Sequence, residues 1–170
     1  MTILTTDPFS HPDTIALALP EPIHRIRSFV SGDPEGDRLR VSYFANSATQ
    51  NVFARVWFGP AAEGPPGHAH GGAIAAVLDE IMGVAAWYGG NPVVAARIAV
   101  DFLRSVPLEH DVVAHASVVK VEGRRVHVDA RIEGPGEPGG PDGLLYATAQ
   151  GLFIVLDDAM KERLSLALPK

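Results

Sequence analysis

Two segments in the first half of the chain alternate between hydrophobic and mostly polar residues. Leu39, Val41 and Tyr43 occupy every second position of one, and the run from Val52 to Phe58 has the same period. A period of two is typical of a β-strand with one buried face. Because the turn-forming residues 46–50 separate the two runs, they predict an antiparallel hairpin.

The period changes between Ala73 and Tyr88, where almost every residue is apolar except Asp79 and Glu80. The largest apolar side chains recur at helical spacing: Ile74, Leu78, Ile81 and Ala85. A helix that is apolar nearly all round is expected to be buried. Its length and two central carboxylates argue against a membrane span. Gly83 lowers helix propensity, so we expect a neighbouring backbone to approach it closely.

The remainder of the chain reads as four consecutive strands. Val94, Ala96, Ile98, Val100 and Phe102 are expected to share one face of the first strand. Strands follow over 113–121 and 126–132, joined by a tight turn at 122–124, and a last strand covers 144–156 before a polar tail. A βαβ order would alternate helices and strands, whereas a hairpin, one helix and four strands favour an antiparallel sheet.

The fold class predicted from this order is α+β, with a sheet of about six antiparallel strands around one central apolar helix. Five prolines in residues 1–36 allow at most one short helix, at Asp13 to Leu19. We interpret 1–36 as an arm packed on a single domain formed by 37–170.

Composition restricts the partners and the compartment. The 170 residues include 20 acidic and 14 basic side chains, a net charge of −6, which argues against binding nucleic acid. There is no cysteine, which excludes disulfides, thiolate metal ligands and cysteine nucleophiles. The N-terminal residues lack the pattern of a signal peptide, so we expect a cytoplasmic protein.

Candidate chemistry lies at the start of the apolar helix, in the run His70-Gly71-Gly72. The first residues of a helix present unpaired N–H groups and a partial positive charge. Glycines at this position let a ligand approach the backbone, so the run suits an anion or a developing oxyanion. The alternative is that the two glycines only form a tight turn into the helix.

Asp79 is the second candidate, because an unpaired buried carboxylate is energetically costly. It either has a functional role or belongs, with Glu80, to a solvated stripe. Eight residues separate Gly71 from Asp79, which is about 12 Å along a helix. One helix cannot bring both groups to one atom, whereas two antiparallel copies can. A site made of these groups is therefore predicted at a twofold interface.

The run from Gly64 to Gly83 resembles the HGG…D signature of hot-dog acyl-CoA thioesterases, of the phenylacetate-pathway and thioesterase-superfamily-member type. Segments 100–108, 120–124 and 145–149 also match, so the resemblance spans about 38–156. It implies a hot-dog fold, hydrolysis of an acyl-CoA thioester, and homodimers that commonly pair into tetramers. No metal and no cofactor are implied beyond the CoA of the substrate.

The resemblance also implies roles for individual residues. Asp79 matches the catalytic carboxylate, acting as nucleophile or as general base on water. Gly71 matches the amide that polarises the thioester carbonyl, and His70 matches a residue that holds the loop and substrate. The remaining positions match substrate and CoA contacts of the family: Gly72, Phe102, Arg104, Gly123 and Arg124.

Two positions depart from the pattern of the family. Many relatives carry Ser or Thr where this chain has Ala95, and some carry Asn or Gln where it has Glu63 and Gly64. These departures keep open a protein that binds an acyl or aryl thioester without hydrolysing it. A metal site made by His68, His70 and Asp79 and a hydratase of the same fold are further alternatives, which fit the motif less well.

Overall fold

The structure is a computed structural model that describes residues 8–19, 28–135 and 143–163. Two helices and seven strands follow one another along these residues. In chain order they are β1 (Thr14–Ala16), β2 (Leu39–Asn46), β3 (Val52–Phe58), α1 (Gly71–Tyr88), β4 (Val93–Phe102), β5 (Asp111–Glu122), β6 (Arg125–Glu133), β7 (Leu145–Val155) and α2 (Asp158–Arg163).

The strands form one antiparallel sheet in the order β1-β2-β3-β5-β6-β7-β4. The predicted hairpin is confirmed, with Val41 opposite Val56 in its register. All six strands predicted from the sequence form, and β1 adds a seventh at the edge of β2. The two edge strands of the sheet differ: β1 is only three residues long, whereas most residues of β4 are exposed.

Helix α1 begins two residues before the predicted start and packs across one face of the sheet, against β3 to β7. By length and composition α1 could cross a membrane, but its large side chains are buried in the protein, as in a core helix. They face the inward residues of β6, all of which are buried as predicted: Val126, Val128, Ala130 and Ile132. This burial supplies most of the driving force for packing helix on sheet.

A glycine of the sheet, rather than the glycine of the helix, permits the close packing. A Cβ at Gly151 in β7 would lie 2.9 Å from Sδ of Met82 in α1. At Gly83 the expectation of a close backbone is wrong within the described residues. A Cβ there would meet only the ring of Phe153, at 4.0 Å.

The N-terminal helix predicted for Asp13 to Leu19 is wrong, because Thr14–Ala16 form strand β1. Thr14 pairs with Asn46 and Ala16 with Phe44, so the segment extends the open edge of β2. β-branched side chains such as those of Thr14 and Ile15 favour a strand once an edge is available. The predicted polar tail likewise contains the short helix α2.

Strand β4 contains an irregularity that the alternation of its residues does not reveal. Ala95 pairs with Phe153 of β7, but the next pair is Arg97 with Leu152, so Ala96 is skipped. Paired residues of antiparallel strands share a face, and Phe153 is buried against α1. Ala95 therefore faces the helix. Val94 pairs with Ile154 and Ile98 with Gly151, which lie on opposite faces of β7, so the prediction that Val94 and Ile98 share one face is wrong.

The opposite face of the sheet carries a buried ion-pair cluster around Glu133, the last residue of β6. Nε2 of His115 lies 2.9 Å from one carboxylate oxygen, and Nε of Arg131 donates to the other at 2.9 Å. Only 6% of the Glu133 side chain is exposed. Burial raises the pKa of Glu133, but the hydrogen bonds from His115 and Arg131 outweigh it and lower the pKa to about 2.

Candidate active site

The first turn of α1 leaves one backbone donor free. His70 is the N-cap, and its Nδ1 accepts a hydrogen bond from Gly72 N–H at 2.9 Å. The N–H groups of Ala73 and Ile74 both donate to the His70 carbonyl. Among the described residues, Gly71 N–H has no acceptor. A single unpaired N–H at a helix start is suited to an oxygen that gains negative charge.

Phe102 lies directly beside this donor. A Cβ at Gly71 would lie 3.5 Å from Cζ of Phe102, whose side chain is 55% exposed. Arg104 follows two residues later, exposed, and its guanidinium donates to the Leu145 carbonyl at 2.8 Å. The structure thus brings together Gly71 and Phe102 from the predicted set, with Arg104 close in sequence.

Asp79 is partly buried in the middle of α1. Its Oδ1 is buried and, among the described residues, has no hydrogen-bond partner. Burial, and then the charge of Glu80, raise the pKa of Asp79 above its ordinary value. A carboxylate with a free oxygen and increased basicity can take a proton from water or attack a carbonyl carbon.

Glu80 belongs to no solvated stripe. Tyr43 of β2 donates its hydroxyl to Oε1 of Glu80 at 2.7 Å, and the hydroxyl of Ser28 donates to Oε2. The two carboxylates of the helix therefore differ, since Glu80 has two partners and one oxygen of Asp79 has none. No sequence signal pairs Glu80 with Tyr43, because 37 residues separate them.

A cavity of about 750 Å³ opens beside Asp79. Its walls come from the second half of α1, from β4 and β7, from residues 17–19 of the N-terminal arm and from α2. Apolar side chains dominate them, among them Leu17, Leu19, Val84, Trp87, Val93 and Phe153. Ala95 lies on the wall as well, so the position where the resemblance leads us to expect a hydroxyl lines the same cavity as Asp79.

The segment that contains the helix start and Asp79 matches a known protein family. The family model of the thioesterase superfamily matches residues 66–137, which span the start of α1, Asp79 and the strands behind them. Residues 66–137 are therefore similar to proteins of the thioesterase superfamily.

Relatives extend the match beyond this thioesterase-superfamily segment. Acyl-coenzyme A thioesterase THEM4 of Xenopus laevis is 34% identical over 73% of this chain. The chain spans only 54% of the length of that relative, and 57% of the THEM4 protein of Rattus norvegicus, to which it is 31% identical.

Solved structures of the superfamily share the fold. A crystal structure of a thioesterase superfamily protein superposes with a TM-score of 0.65 at 26% identity, covering 77% of this chain and 60% of its own. A Streptococcus mutans protein bound to acetyl-CoA gives 0.56 at 19% identity, covering 64% of this chain and 82% of its own. The helix and antiparallel sheet are therefore the hot-dog fold.

The β5–β6 turn holds the other predicted CoA contacts. Gly123 has a φ of +59°, which a tight turn requires. Arg124 is bonded to the C-terminal segment: it lies 2.9 Å from the carboxylate of Asp157 and donates to the Val155 carbonyl at 3.2 Å. In this structure the guanidinium of Arg124 therefore anchors the approach to α2.

The loop before the helix explains the two departures at 63 and 64. Glu63 accepts a hydrogen bond from Gly67 N–H at 2.8 Å, so it stabilises the loop itself. A Cβ at Gly64 would lie 2.7 Å from Cα of His70, a separation that only glycine tolerates. The described residues contain no group of three His, Asp or Glu side chains placed to hold a metal ion.

Proposed function

We propose that this protein hydrolyses acyl-CoA thioesters. The observation that carries the proposal is the free Oδ1 of Asp79 on the wall of an apolar cavity. A second observation supports it: the same helix begins with an unpaired N–H at Gly71, in a segment of the thioesterase superfamily. The THEM4 relatives are acyl-CoA thioesterases, although this chain spans little more than half of each.

In the proposed reaction Asp79 either takes a proton from water or attacks the thioester carbonyl carbon itself. In the first route a C–O bond forms from the water oxygen, and the carbonyl oxygen becomes an oxyanion held by Gly71 N–H. The C–S bond then breaks and the thiolate of CoA receives a proton. The products are a carboxylic acid and free CoA, and water is the only other reactant.

We propose that the complete site forms between two copies of the chain. Within one chain, Gly71 and Asp79 are separated by about 12 Å of helix. The partly exposed side of α1 carries small residues around Asp79, which permit a second helix to come close: Ala75, Ala76 and Gly83. Strand β4 ends the sheet with Ile98 and Phe102 exposed, so its edge can join a partner sheet. A twofold dimer would then hold two sites, and we propose that dimers pair into tetramers, as the resemblance implies.

The cavity and the loop beside Gly71 define the proposed substrate. Its apolar walls suit the acyl group, and a volume of about 750 Å³ admits groups much larger than acetyl. The ring of Phe102 and the exposed Arg104 are proposed to contact the CoA portion, together with His70 and Gly72. An S. mutans protein of the same fold binds acetyl-CoA.

A panel of acyl-CoA esters tests the proposal, with thiol release as the measurement. Asp79→Asn should lower kcat by ~10²–10⁴-fold, because that range is the contribution of a positioned general base. Glu35→Gln, which removes an exposed carboxylate outside the site, is the matched control and should retain full activity. Undiminished turnover by Asp79→Asn would contradict the mechanism, and a monomer in sedimentation would contradict the interface.

Ala95 favours one second candidate, a protein that binds a CoA thioester without hydrolysing it. Ala95 places a methyl group on the cavity wall where the resemblance leads us to expect a hydroxyl. The site therefore has one fewer polar side chain that could orient a water molecule. Calorimetric binding of an acyl-CoA by the wild type, with no thiol released over hours, would identify this function. Turnover in the same sample would exclude it.

A further inference from the structure

Glu80 is the one carboxylate of α1 that the proposed reaction leaves without a role. It lies next to Asp79 in sequence and on the wall of the same cavity. Tyr43 holds Oε1 at 2.7 Å and Ser28 holds Oε2. These partners come from β2 and from the segment that precedes it, so three separate parts of the chain meet at Glu80.

We propose that Glu80, held by Tyr43 and Ser28, is a positioning residue for the reaction at Asp79. It fixes a second negative charge beside the reacting carboxylate and ties residues 28–32 to the catalytic helix. This inference rests on the proposed function for its consequence in catalysis, whereas the effect on Asp79 itself can be measured in a protein with no turnover.

The two side chains that donate to Glu80, Tyr43 and Ser28, are both held in place. The Tyr43 side chain is 5% exposed, so its hydroxyl cannot swing to solvent without disrupting the core. Ser28 is restrained as well, because the N–H groups of Val30 and Ser31 both donate to its hydroxyl oxygen at 3.3 Å. An acidic side chain bound by two fixed donors keeps its charge in one place.

The charge of Glu80 acts on Asp79 in a known direction. A like charge nearby disfavours ionisation, so the pKa of Asp79 is raised by burial and further by Glu80. Among the described residues, the other titratable groups on the cavity wall are Tyr88 of α1 and Lys161 of α2, and Tyr43 stands behind Glu80. The strands packed against α1 contribute only apolar side chains to that wall: Val93, Ala95 and Phe153.

A more basic Asp79 is the better base or nucleophile once it is ionised. Glu80→Gln should therefore move the acidic limb of the kcat/KM profile to lower pH. The plateau kcat should fall by roughly tenfold or less, well below the ~10²–10⁴-fold that a lost general base costs. If Glu80 had only a structural role, Glu80→Gln would change the melting temperature and leave the acidic limb of the kcat/KM profile unchanged.

The decisive measurement is the pH titration of the Asp79 carboxyl carbon by NMR, assigned by its loss in Asp79→Asn. We expect the Asp79 titration to move to lower pH in Glu80→Gln and to stay unchanged in the surface control Glu35→Gln. An unchanged titration in folded Glu80→Gln would overturn the inference. Absence of acyl-CoA hydrolysis by the wild type would instead overturn the proposed function, so the two failures are distinguishable.

A second variant keeps the test valid if Glu80→Gln does not fold. Tyr43→Phe combined with Ser28→Ala retains Glu80 and removes both of its donors. Without its two donors Glu80 is free to turn towards solvent, so its negative charge is no longer fixed beside Asp79. The Asp79 titration should again move to lower pH, and a wild-type titration in this double variant would overturn the role of the two donors.

Discussion

Asp79 and Glu133 are two carboxylates that are at least partly removed from water. Asp79 lies on helix α1, on one side of the sheet, and Glu133 lies on the opposite face of the sheet. Burial alone raises the pKa of each. Glu133 receives hydrogen bonds from His115 and Arg131, and its pKa falls to about 2. Asp79 has a free oxygen and a second carboxylate beside it, and its pKa rises. The difference in partners, rather than in burial, separates a carboxylate that stabilises the fold from one that is available for chemistry.

The largest effect on stability is expected at Glu133. Glu133→Gln keeps the shape but removes the charge, so the variant resembles the protonated side chain. The difference between the ordinary pKa of 4.5 and about 2 corresponds to about 3 kcal/mol of unfolding free energy at pH 7. Urea unfolding measures it. A loss below that of an exposed control, Glu122→Gln, would contradict the comparison.

The same shift predicts how stability depends on pH. A folded pKa below the unfolded pKa stabilises the protein fully above pH 4.5, and this contribution is lost as the pH falls towards about 2. The free energy of unfolding of the wild type should therefore decrease more steeply through this window than that of Glu133→Gln. Parallel curves for the two proteins would show that Glu133 is not the group that titrates.

Asp79→Asn should change stability in the opposite direction. Because the folded pKa is raised, the ionised carboxylate destabilises the protein at any pH above it, and this cost disappears only as the pH falls. Removing the charge should stabilise the protein at pH 7 while lowering kcat by the ~10²–10⁴-fold expected for a lost general base, a common trade-off at active sites. Thermal unfolding of the two proteins measures it, and a destabilised Asp79→Asn would contradict the assignment.

Asp157 supplies the third case, a carboxylate that has a partner but is exposed. Its carboxylate lies 2.9 Å from Arg124, and 45% of its side chain is exposed. Asp157→Asn retains the hydrogen bond to the N–H of Met160 and removes only the charge. Exposed pairs contribute little, so we expect a loss of ~0.5 kcal/mol. A loss as large as that of Glu133→Gln would mean that partners matter and burial does not.

The sequence predicted the elements whose signal is local. The hairpin and α1 follow from periods visible within a few residues, and the tight turn at 122–124 from its glycine. Strand β1 was missed because three residues become a strand only when the distant edge of β2 is available to pair with them. The skipped residue Ala96 in β4 was missed because a bulge changes the pairing and leaves no mark on composition.

The residues of the candidate site also divide into those with a local sequence signal and those that depend on contacts between distant residues. Gly71 and Asp79 could be chosen as candidates from the sequence because glycines at a helix start and a carboxylate on an apolar helix are both unusual. The role of Arg124 in holding Asp157 and the contact of Tyr43 with Glu80 depend on residues far apart in the chain. Such contacts follow from the packed fold, and a single sequence carries no pattern that reveals them.

The skipped residue in β4 also determines how this site can change during evolution. Side chains on the two sides of Ala96 alternate out of phase, so Ala95 faces the cavity although the residues beyond the bulge predict otherwise. A single substitution at 95 would therefore add a hydroxyl to the wall of the cavity that Asp79 also lines. Loss of one residue at the bulge would reverse which side chains of β4 face that cavity without altering any of them.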